Sequence, residues 1–119
     1  MSGRKSQQKG RRAEIELAEI LRGYGYSTRP GEAVSFGGEP DIVGLDGVHC
    51  EVKRREAPDI SAALRQAAED AAYLGDGLPA VFWRGNRQKW RVVMDLESWL
   101  RLYKIYSEVQ QKGGYDESP

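Results

Sequence analysis

The sequence of 119 residues predicts a single domain of the α/β class, because the chain is long enough for one core but not for two. Three segments repeat apolar residues at the spacing of an amphipathic helix, and shorter apolar runs bounded by glycine and proline are typical of strands. One folded domain is therefore expected over residues 10–111. Residues 1–9 are expected to form a flexible basic arm and residues 112–119 a loose tail.

The first helix is predicted from Gly10 to Arg22, with Gly23 placed to end it. Glu14 lies three residues before the apolar Leu17 and so shares its face, at the margin of the apolar stripe. An ordinary helix acid explains Glu14 on pattern alone. The alternative is a third metal ligand or a group that positions water.

Residues 24–29 are predicted to form a turn that leads into a first strand, which Pro30-Gly31 breaks. The segment 32–38 fits either a continued strand or a mobile loop. A second helix is expected from a cap at Asp59 or Ser61 to about Leu74. Two strands, 78–83 and 90–94, should follow, joined by a basic loop. The final helix is predicted over 96–111, and the tryptophans at the loop ends fit either the core or base stacking.

The central hairpin is predicted at Asp46-Gly47, a dipeptide that favours a tight turn with positive φ at both residues. It would join the apolar runs Ile42 to Leu45 and Val48 to Val52. Because side chains alternate along a strand, Glu51 and Lys53 should project from one face.

Asp41, at the mouth of the first hairpin strand, is then expected near Glu51, with Lys53 beside the two carboxylates. Neighbouring carboxylates repel each other, and a divalent cation with oxygen ligands, such as Mg²⁺, relieves that repulsion. The pattern indicates phosphodiester hydrolysis, in which the lysine supports the developing charge or the attacking water. The alternative is an edge hairpin with solvated charges.

Charge is balanced overall, with 18 basic and 18 acidic residues, but basic residues cluster in 1–12 and 84–91. Such patches favour contact with nucleic acid despite a neutral total. The predicted DNA-contacting residues are Arg11, Arg12, Arg29, Ser35, Arg54, Arg55, Arg84, Arg87 and Lys89. The alternative interpretation of the basic arm, residues 1–9, is a solubilising tail.

Cys50 and His49 are single residues of their types, which excludes an intrachain disulfide and a cysteine- or histidine-based zinc cluster. The chain has no signal-peptide core and no apolar run long enough to span a membrane. A soluble protein in a reducing, cytoplasmic compartment is expected.

The sequence Pro40-Asp41, followed by Glu51-Val52-Lys53, resembles the signature of the PD-(D/E)xK nuclease superfamily. Over roughly Gly10 to Met94 the chain is similar to archaeal-type Holliday junction resolvases, which bacteriophages also encode. The opening segment 10–17 matches the family's first helix and places Glu14 at its first catalytic position. Two departures are Ile15, where a basic residue is common, and a second helix whose aromatic contacts are replaced by alanines, leaving Tyr73.

The resemblance implies a restriction-endonuclease-like core, with a central mixed five-stranded sheet flanked by helices. It implies a homodimer that makes paired nicks in four-way DNA junctions with Mg²⁺ or Mn²⁺, and neither a membrane nor a small-molecule cofactor. Asp41, Glu51 and the Val52 carbonyl would hold the metal. Glu14 would hold a water on the metal or the metal itself, and Lys53 would support the nucleophile. The expected location is the nucleoid, or the host cytoplasm for a phage protein.

Two other functions fit the same residues. One is a different nuclease on the same core, acting on other branched DNA or in repair. The second is a non-catalytic DNA-binding module that retains the fold, although binding alone gives no reason for a carboxylate cluster that repels phosphate.

Overall fold

The computed structural model describes residues 2–32 and 38–113. Within them the sheet has five strands in the order β1-β2-β3-β4-β5, antiparallel except for the parallel pair β3 and β4. The α/β class and the mixed five-stranded sheet are therefore confirmed. The elements are α1 (Ser2–Gly23), β1 (Arg29–Pro30), β2 (Ile42–Val43), β3 (Gly47–Arg54), α2 (Ile60–Leu74), β4 (Gly77–Arg84), β5 (Arg91–Val93) and α3 (Leu96–Gln111).

The parallel pair requires a crossover, which α2 provides between β3 and β4. Its buried face consists of Ala63, Ala67 and Ala71, small side chains that let the helix backbone approach the sheet. This face packs with Val81 and Trp83 of β4. The Asp59 side chain accepts a hydrogen bond of 3.0 Å from the Ala62 N–H, so the predicted cap is confirmed.

Helix α1 covers the opposite face of the sheet. Leu17 and Ala18 are buried there with Ile42 of β2 and with Cys50 and Val52 of β3. Since side chains alternate along β3, Glu51 and Lys53 belong to the other face, on the α2 side. Strand β3 therefore packs Cys50 and Val52 against α1 and directs Glu51 and Lys53 to the α2 side.

The first helix begins at Ser2, eight residues before the predicted start at Gly10. Residues 2–9 carry no apolar stripe, so hydrophobic periodicity could not detect them as helix. Lysine and glutamine have good helix propensity, which extends α1 as a polar N-terminal half. The segment predicted as a flexible arm is thus helical from Ser2.

The first strand differs from its prediction in where it ends, because β1 is Arg29–Pro30 and so includes the proline that was expected to break it. The preceding residues form a turn in which the Tyr26 N–H donates to the Leu21 carbonyl at 3.2 Å. Thr28 is buried, and its hydroxyl donates to the Ala18 carbonyl at 2.8 Å. Pro30 is tolerated in a strand because β1 is the edge of the sheet.

The hairpin turn at Asp46-Gly47 exists, closed by the Val48 N–H on the Leu45 carbonyl at 3.1 Å, but it is of a different type. Gly47 has a positive φ of 86°, but Asp46 does not, because Arg87 is the only non-glycine residue with positive φ among the described residues. The turn is therefore not the expected type, in which both central residues have positive φ. A two-residue turn at Asp46-Gly47 would pair Val43 with Cys50, but the residue that pairs with Cys50 is Ile42. The connection between β2 and β3 is therefore one residue longer on the β2 side. Gly44, with φ 112°, lies in the segment that absorbs the extra residue.

None of the three helices in the described ranges combines the length and the apolar character that crossing a bilayer demands.

Candidate catalytic and metal site

The four predicted catalytic side chains come from three places in the fold. Glu14 lies on α1, Asp41 directly before β2, and Glu51 and Lys53 on β3. All four residues are partly buried. The charges of Glu51, Glu14 and Lys53 all act on the Asp41 carboxyl, and Glu51 also acts on Glu14. The structure therefore places these groups in one electrostatic cluster.

Asp41 is the most perturbed acid of this cluster. Its Oδ2 accepts a hydrogen bond of 2.8 Å from the Val52 N–H, and its own N–H donates to the Cys50 carbonyl at 3.0 Å. Burial, followed by the negative charge of Glu51, raises its pKa to about 7, against the opposing effect of the Val52 hydrogen bond. A nearby cation would remove the cost of ionising Asp41 at neutral pH.

Glu14 approaches the same region from α1. Burial raises its pKa, the neighbouring Arg11 guanidinium lowers it, and Glu51 raises it further, with a net upward shift. The Arg11 Nη1 lies 3.5 Å from the Glu14 Oε1 and also donates to the Gly31 carbonyl at 2.8 Å. Glu14 and Asp41 line the same open cavity of about 350 Å³. This cavity is large enough to admit a cation and a phosphate group.

Glu51 has a neighbour that sequence reasoning missed. Its Oε2 lies 3.4 Å from Nε2 of His49, whose Nδ1 lies 2.9 Å from an Asp76 carboxylate oxygen. Burial lowers the pKa of His49, but the hydrogen bonds to Glu51 and Asp76 outweigh burial and raise it to about 9. At neutral pH the His49 side chain is therefore a protonated imidazolium that hydrogen-bonds to the Glu51 carboxylate. The sequence signal that could have identified His49 is its position two residues before Glu51 on β3, which places both side chains on the same face of the strand.

The most compact group of potential metal ligands is not the predicted set of Glu14, Asp41 and Glu51. Among residues 2–32 and 38–113, the only set of three or more histidine, cysteine or acidic residues with ligand atoms within 4.8 Å of one another is His49, Glu51 and Asp70. Glu14, Asp41 and Glu51 do not converge that closely. The ring nitrogens of His49 face Glu51 and Asp76, and the raised pKa of His49 keeps the ring protonated at neutral pH, so neither nitrogen offers a lone pair to a metal ion.

The Asp41 side fits a magnesium-type cation better, on two observations. Its donors are carboxylate oxygens, the ligands that Mg²⁺ prefers, usually one or two per ion. Burial and then the charge of Glu51 raise the pKa of Asp41, so a cation beside it would stabilise its ionised form. The contact seen for Val52 is its N–H on Asp41, while the role predicted for its carbonyl stays a prediction.

Two arginines predicted to contact DNA are engaged with carboxylates. Arg84 donates twice to Glu16, at 2.8 Å each, and the Trp90 indole N–H donates to the same carboxylate at 2.8 Å. Arg29 makes a bidentate pair with Glu39, at 2.9 and 2.7 Å. Each ion pair offsets positive charge that a phosphate would otherwise attract. Their contact with DNA stays a prediction.

The tryptophans on either side of the basic loop support the core interpretation. Trp90 packs against the α1 core cluster, and Trp83 against the α2 cluster. The Trp83 indole N–H donates to the Arg55 carbonyl at 2.9 Å. Both rings thus complete the packing of the sheet.

A basic groove lies beside α1, next to the carboxylate cluster. One cavity of about 310 Å³ is lined by Lys9, Arg12, Arg54 and Arg84 together with Glu16. A second, of about 290 Å³, shares Lys9 and Arg54 and reaches Lys53 and Arg55. Lys53 therefore belongs both to the carboxylate cluster and to the groove.

Arg54 is the central cation of this groove, and its Nη2 donates to Asn86 Oδ1 at 2.6 Å. Its Nη1 is buried and finds no hydrogen-bond partner among the described residues, with the Glu56 carboxylate 4.0 Å away. The remaining predicted contacts differ in position. Arg12, Arg55, Arg87 and Lys89 are exposed, whereas Ser35 lies outside the described residues.

No protein-family model, curated protein or solved structure matches this chain. The resemblance to junction resolvases therefore rests on the motif residues Glu14, Asp41, Glu51 and Lys53. Their chemistry is an acidic cluster with one ammonium and an adjoining basic groove, which is suited to a divalent cation and a phosphodiester.

Proposed function

We propose that the protein is a metal-dependent endonuclease that cleaves branched DNA, with the four-way junction as its substrate. The observation that carries the proposal is the buried Asp41, whose pKa is raised to about 7 beside the carboxylates of Glu51 and Glu14. A cluster of this kind repels phosphate unless a cation is bound. Hydrolysis with a bound cation is therefore a better explanation for it than DNA binding alone.

In the proposed mechanism, Asp41 and Glu51 would hold Mg²⁺ or Mn²⁺, with the Val52 carbonyl as a further ligand. When bound, the ion would supply Lewis-acid stabilisation of the phosphate and would lower the pKa of a water molecule. Lys53, which acts electrostatically on Asp41, stabilises the charge that develops on the phosphate or assists the attacking water. Glu14, paired with Arg11, orients that water.

The basic groove supports binding of the DNA backbone. It combines Lys9, Arg12 and Arg54 with Lys53, so it leads from phosphate-binding cations to the carboxylate cluster. Contacts of this kind bind backbone charge and carry little sequence information. Recognition by the shape of a junction follows from such contacts, and the choice of the four-way junction rests on the resemblance.

A substrate panel tests the proposal. End-labelled four-way junction, Y-fork, nicked duplex, plain duplex and single strand are incubated with the protein in Mg²⁺ or in EDTA. Symmetric nicks in the junction, lost in EDTA and in Asp41→Asn, are expected. Asp46→Asn is the matched control, because Asp46 is exposed in the hairpin turn.

Other outcomes identify the alternatives. Equal cleavage of the fork or the duplex would replace the junction by a broader substrate class and keep the metal-dependent chemistry. Binding of the junction without cleavage in Mg²⁺ or Mn²⁺ would favour the DNA-binding module and overturn the proposed catalytic role of Asp41.

A further inference from the structure

Helix α3 is the least covered element of the fold. Ser98 is its one buried residue, and seven of its large apolar side chains are between 39% and 68% exposed. Within the described residues, α3 makes at most marginal contact with the other helices and strands. Its apolar surface is therefore not used in the core of the single chain.

The arrangement of residues around α3 shows how wide this surface is. The charged residues Glu97, Arg101, Lys104 and Glu108 follow one another at spacings of four, three and four, which aligns them in a single stripe. Large apolar residues occupy more than half of the remaining circumference. A helix that is apolar over so much of its surface is normally buried, so a partner is needed to cover it.

The chemistry of α3 selects the class of partner. A helix that lies on a membrane surface typically carries a basic polar face, whereas this polar stripe has two acids and two bases. A DNA backbone requires cations, and the exposed face consists of Leu96, Trp99, Leu100, Tyr103 and Tyr106. The partner is therefore another apolar protein surface.

The available area fits a second copy of this chain. One face of α3 carries Leu96, Trp99, Leu100, Tyr103 and Tyr106, and at roughly 150–250 Å² for a large side chain their exposed fractions amount to roughly 400–600 Å² per copy. A standard stable interface buries about 800 Å² per partner. Two α3 helices could therefore supply the larger part of this area.

The order of residues along α3 is also suited to pairing with itself. Trp99 and Tyr103 each lie two residues from Arg101, and Leu96 and Tyr106 each lie five residues from it, so a two-fold axis on the apolar side at the level of Arg101 would place Trp99 opposite Tyr103 and Leu96 opposite Tyr106. The Trp99 and Tyr103 rings are already stacked, with centroids 5.0 Å apart and planes 14° apart. This ordered aromatic surface loses little side-chain freedom on association.

We infer that α3 is the surface through which two copies of this chain associate as a two-fold dimer. The exposed Tyr73 of α2 is a less suitable centre, because the residues one turn before it on that helix are the acids Glu69 and Asp70. The inference deepens the proposed function, since a dimer supplies the two active sites that paired nicks need.

Sedimentation equilibrium of the full chain, without DNA or metal, tests the inference. The wild type is expected at twice the mass of one 13.3 kDa chain at micromolar concentration. The double variant Trp99→Glu, Tyr103→Lys keeps a favourable pair at i and i+4 and removes the aromatic face, so a rise in the dissociation constant of at least 100-fold is expected. Leu96→Lys, at a position that is 68% exposed, should also weaken association without affecting the fold.

The control is Tyr73→Lys on α2, which should remain dimeric. A monomeric wild type, or a dimer that both α3 variants leave intact while their circular dichroism is unchanged, would overturn the inference. Dissociation by Tyr73→Lys alone would assign the interface to α2. A monomer that still cleaves DNA would contradict the α3 dimer and leave the proposed nuclease function intact. A dimer that does not cleave DNA would contradict the nuclease function and leave the α3 dimer intact.

Discussion

Replacing Asp41 by asparagine should stabilise the metal-free protein at alkaline pH. Asparagine keeps an oxygen that can accept the hydrogen bond from the Val52 N–H, now 2.8 Å from the Asp41 carboxylate. It removes the negative charge that burial and the neighbouring carboxylates Glu51 and Glu14 disfavour. The expected effect is therefore opposite to that of most substitutions at partly buried positions.

The magnitude follows from the pKa of Asp41, which rises from its ordinary value of 3.8 to about 7. Because the folded state binds the proton more tightly, the stabilisation is complete below pH 3.8 and is lost as the pH rises through 7. At about 1.4 kcal/mol per pKa unit, the full loss is about 4 kcal/mol. The variant is therefore expected to gain about 2–4 kcal/mol at pH 8 and close to nothing at pH 4.

The assay is urea unfolding in EDTA, followed by circular dichroism, at pH 4 and pH 8. Asp46→Asn is the control for a carboxylate that is exposed. Replacing EDTA by Mg²⁺ should stabilise the wild type at pH 8 more than the variant, because the cation binds the folded carboxylates. A variant no more stable than the wild type at pH 8, or a gain that is equal at both pH values, would refute this interpretation of Asp41.

The remaining predictions concern the scaffold and use urea unfolding. Gly44→Ala should cost about 2 kcal/mol or more, because φ is 112° and an added Cβ would collide with the Ser27 carbonyl. Gly10→Ala, in α1 with open space around it, should instead gain about 0.5–1 kcal/mol, and equal effects at the two glycines would contradict both explanations. Thr28→Val should cost about 0.5–1.5 kcal/mol, since the hydrogen bond from the Thr28 hydroxyl to the buried Ala18 carbonyl is lost, and a neutral result would show that this hydrogen bond does not stabilise the fold.

Local sequence signals were sufficient where the structure depends on local contacts. The boundaries of α2 and α3 follow from periodicity, from the cap at Asp59 and from the left-handed Gly75, with φ 63°. Asp95 precedes α3 as predicted, although its side chain makes no capping hydrogen bond to the described residues. The approach of Asp41 to Glu51 follows from the hairpin.

Contacts between distant parts of the chain could not be predicted in this way. Asp76 reaches His49 because β3 and β4 are parallel and in register from Gly47 and Gly77 onward. The pair of Glu16 and Arg84 joins residues 68 positions apart, and no local pattern indicates which carboxylate an arginine will meet. The position of Gly44 in the hairpin likewise depends on its packing against the turn after α1.

Single-turnover cleavage of a four-way junction tests the nuclease proposal most directly. The wild type, Asp41→Asn, Glu51→Gln and Lys53→Met are compared in Mg²⁺, with Asp46→Asn as the control and junction binding measured in Ca²⁺. The proposed mechanism predicts that the three site variants lose at least about 100-fold in rate and still bind the junction, while the control cleaves like the wild type. Cleavage that persists in all three site variants, or is absent in the wild type with Mg²⁺ and with Mn²⁺, would contradict it.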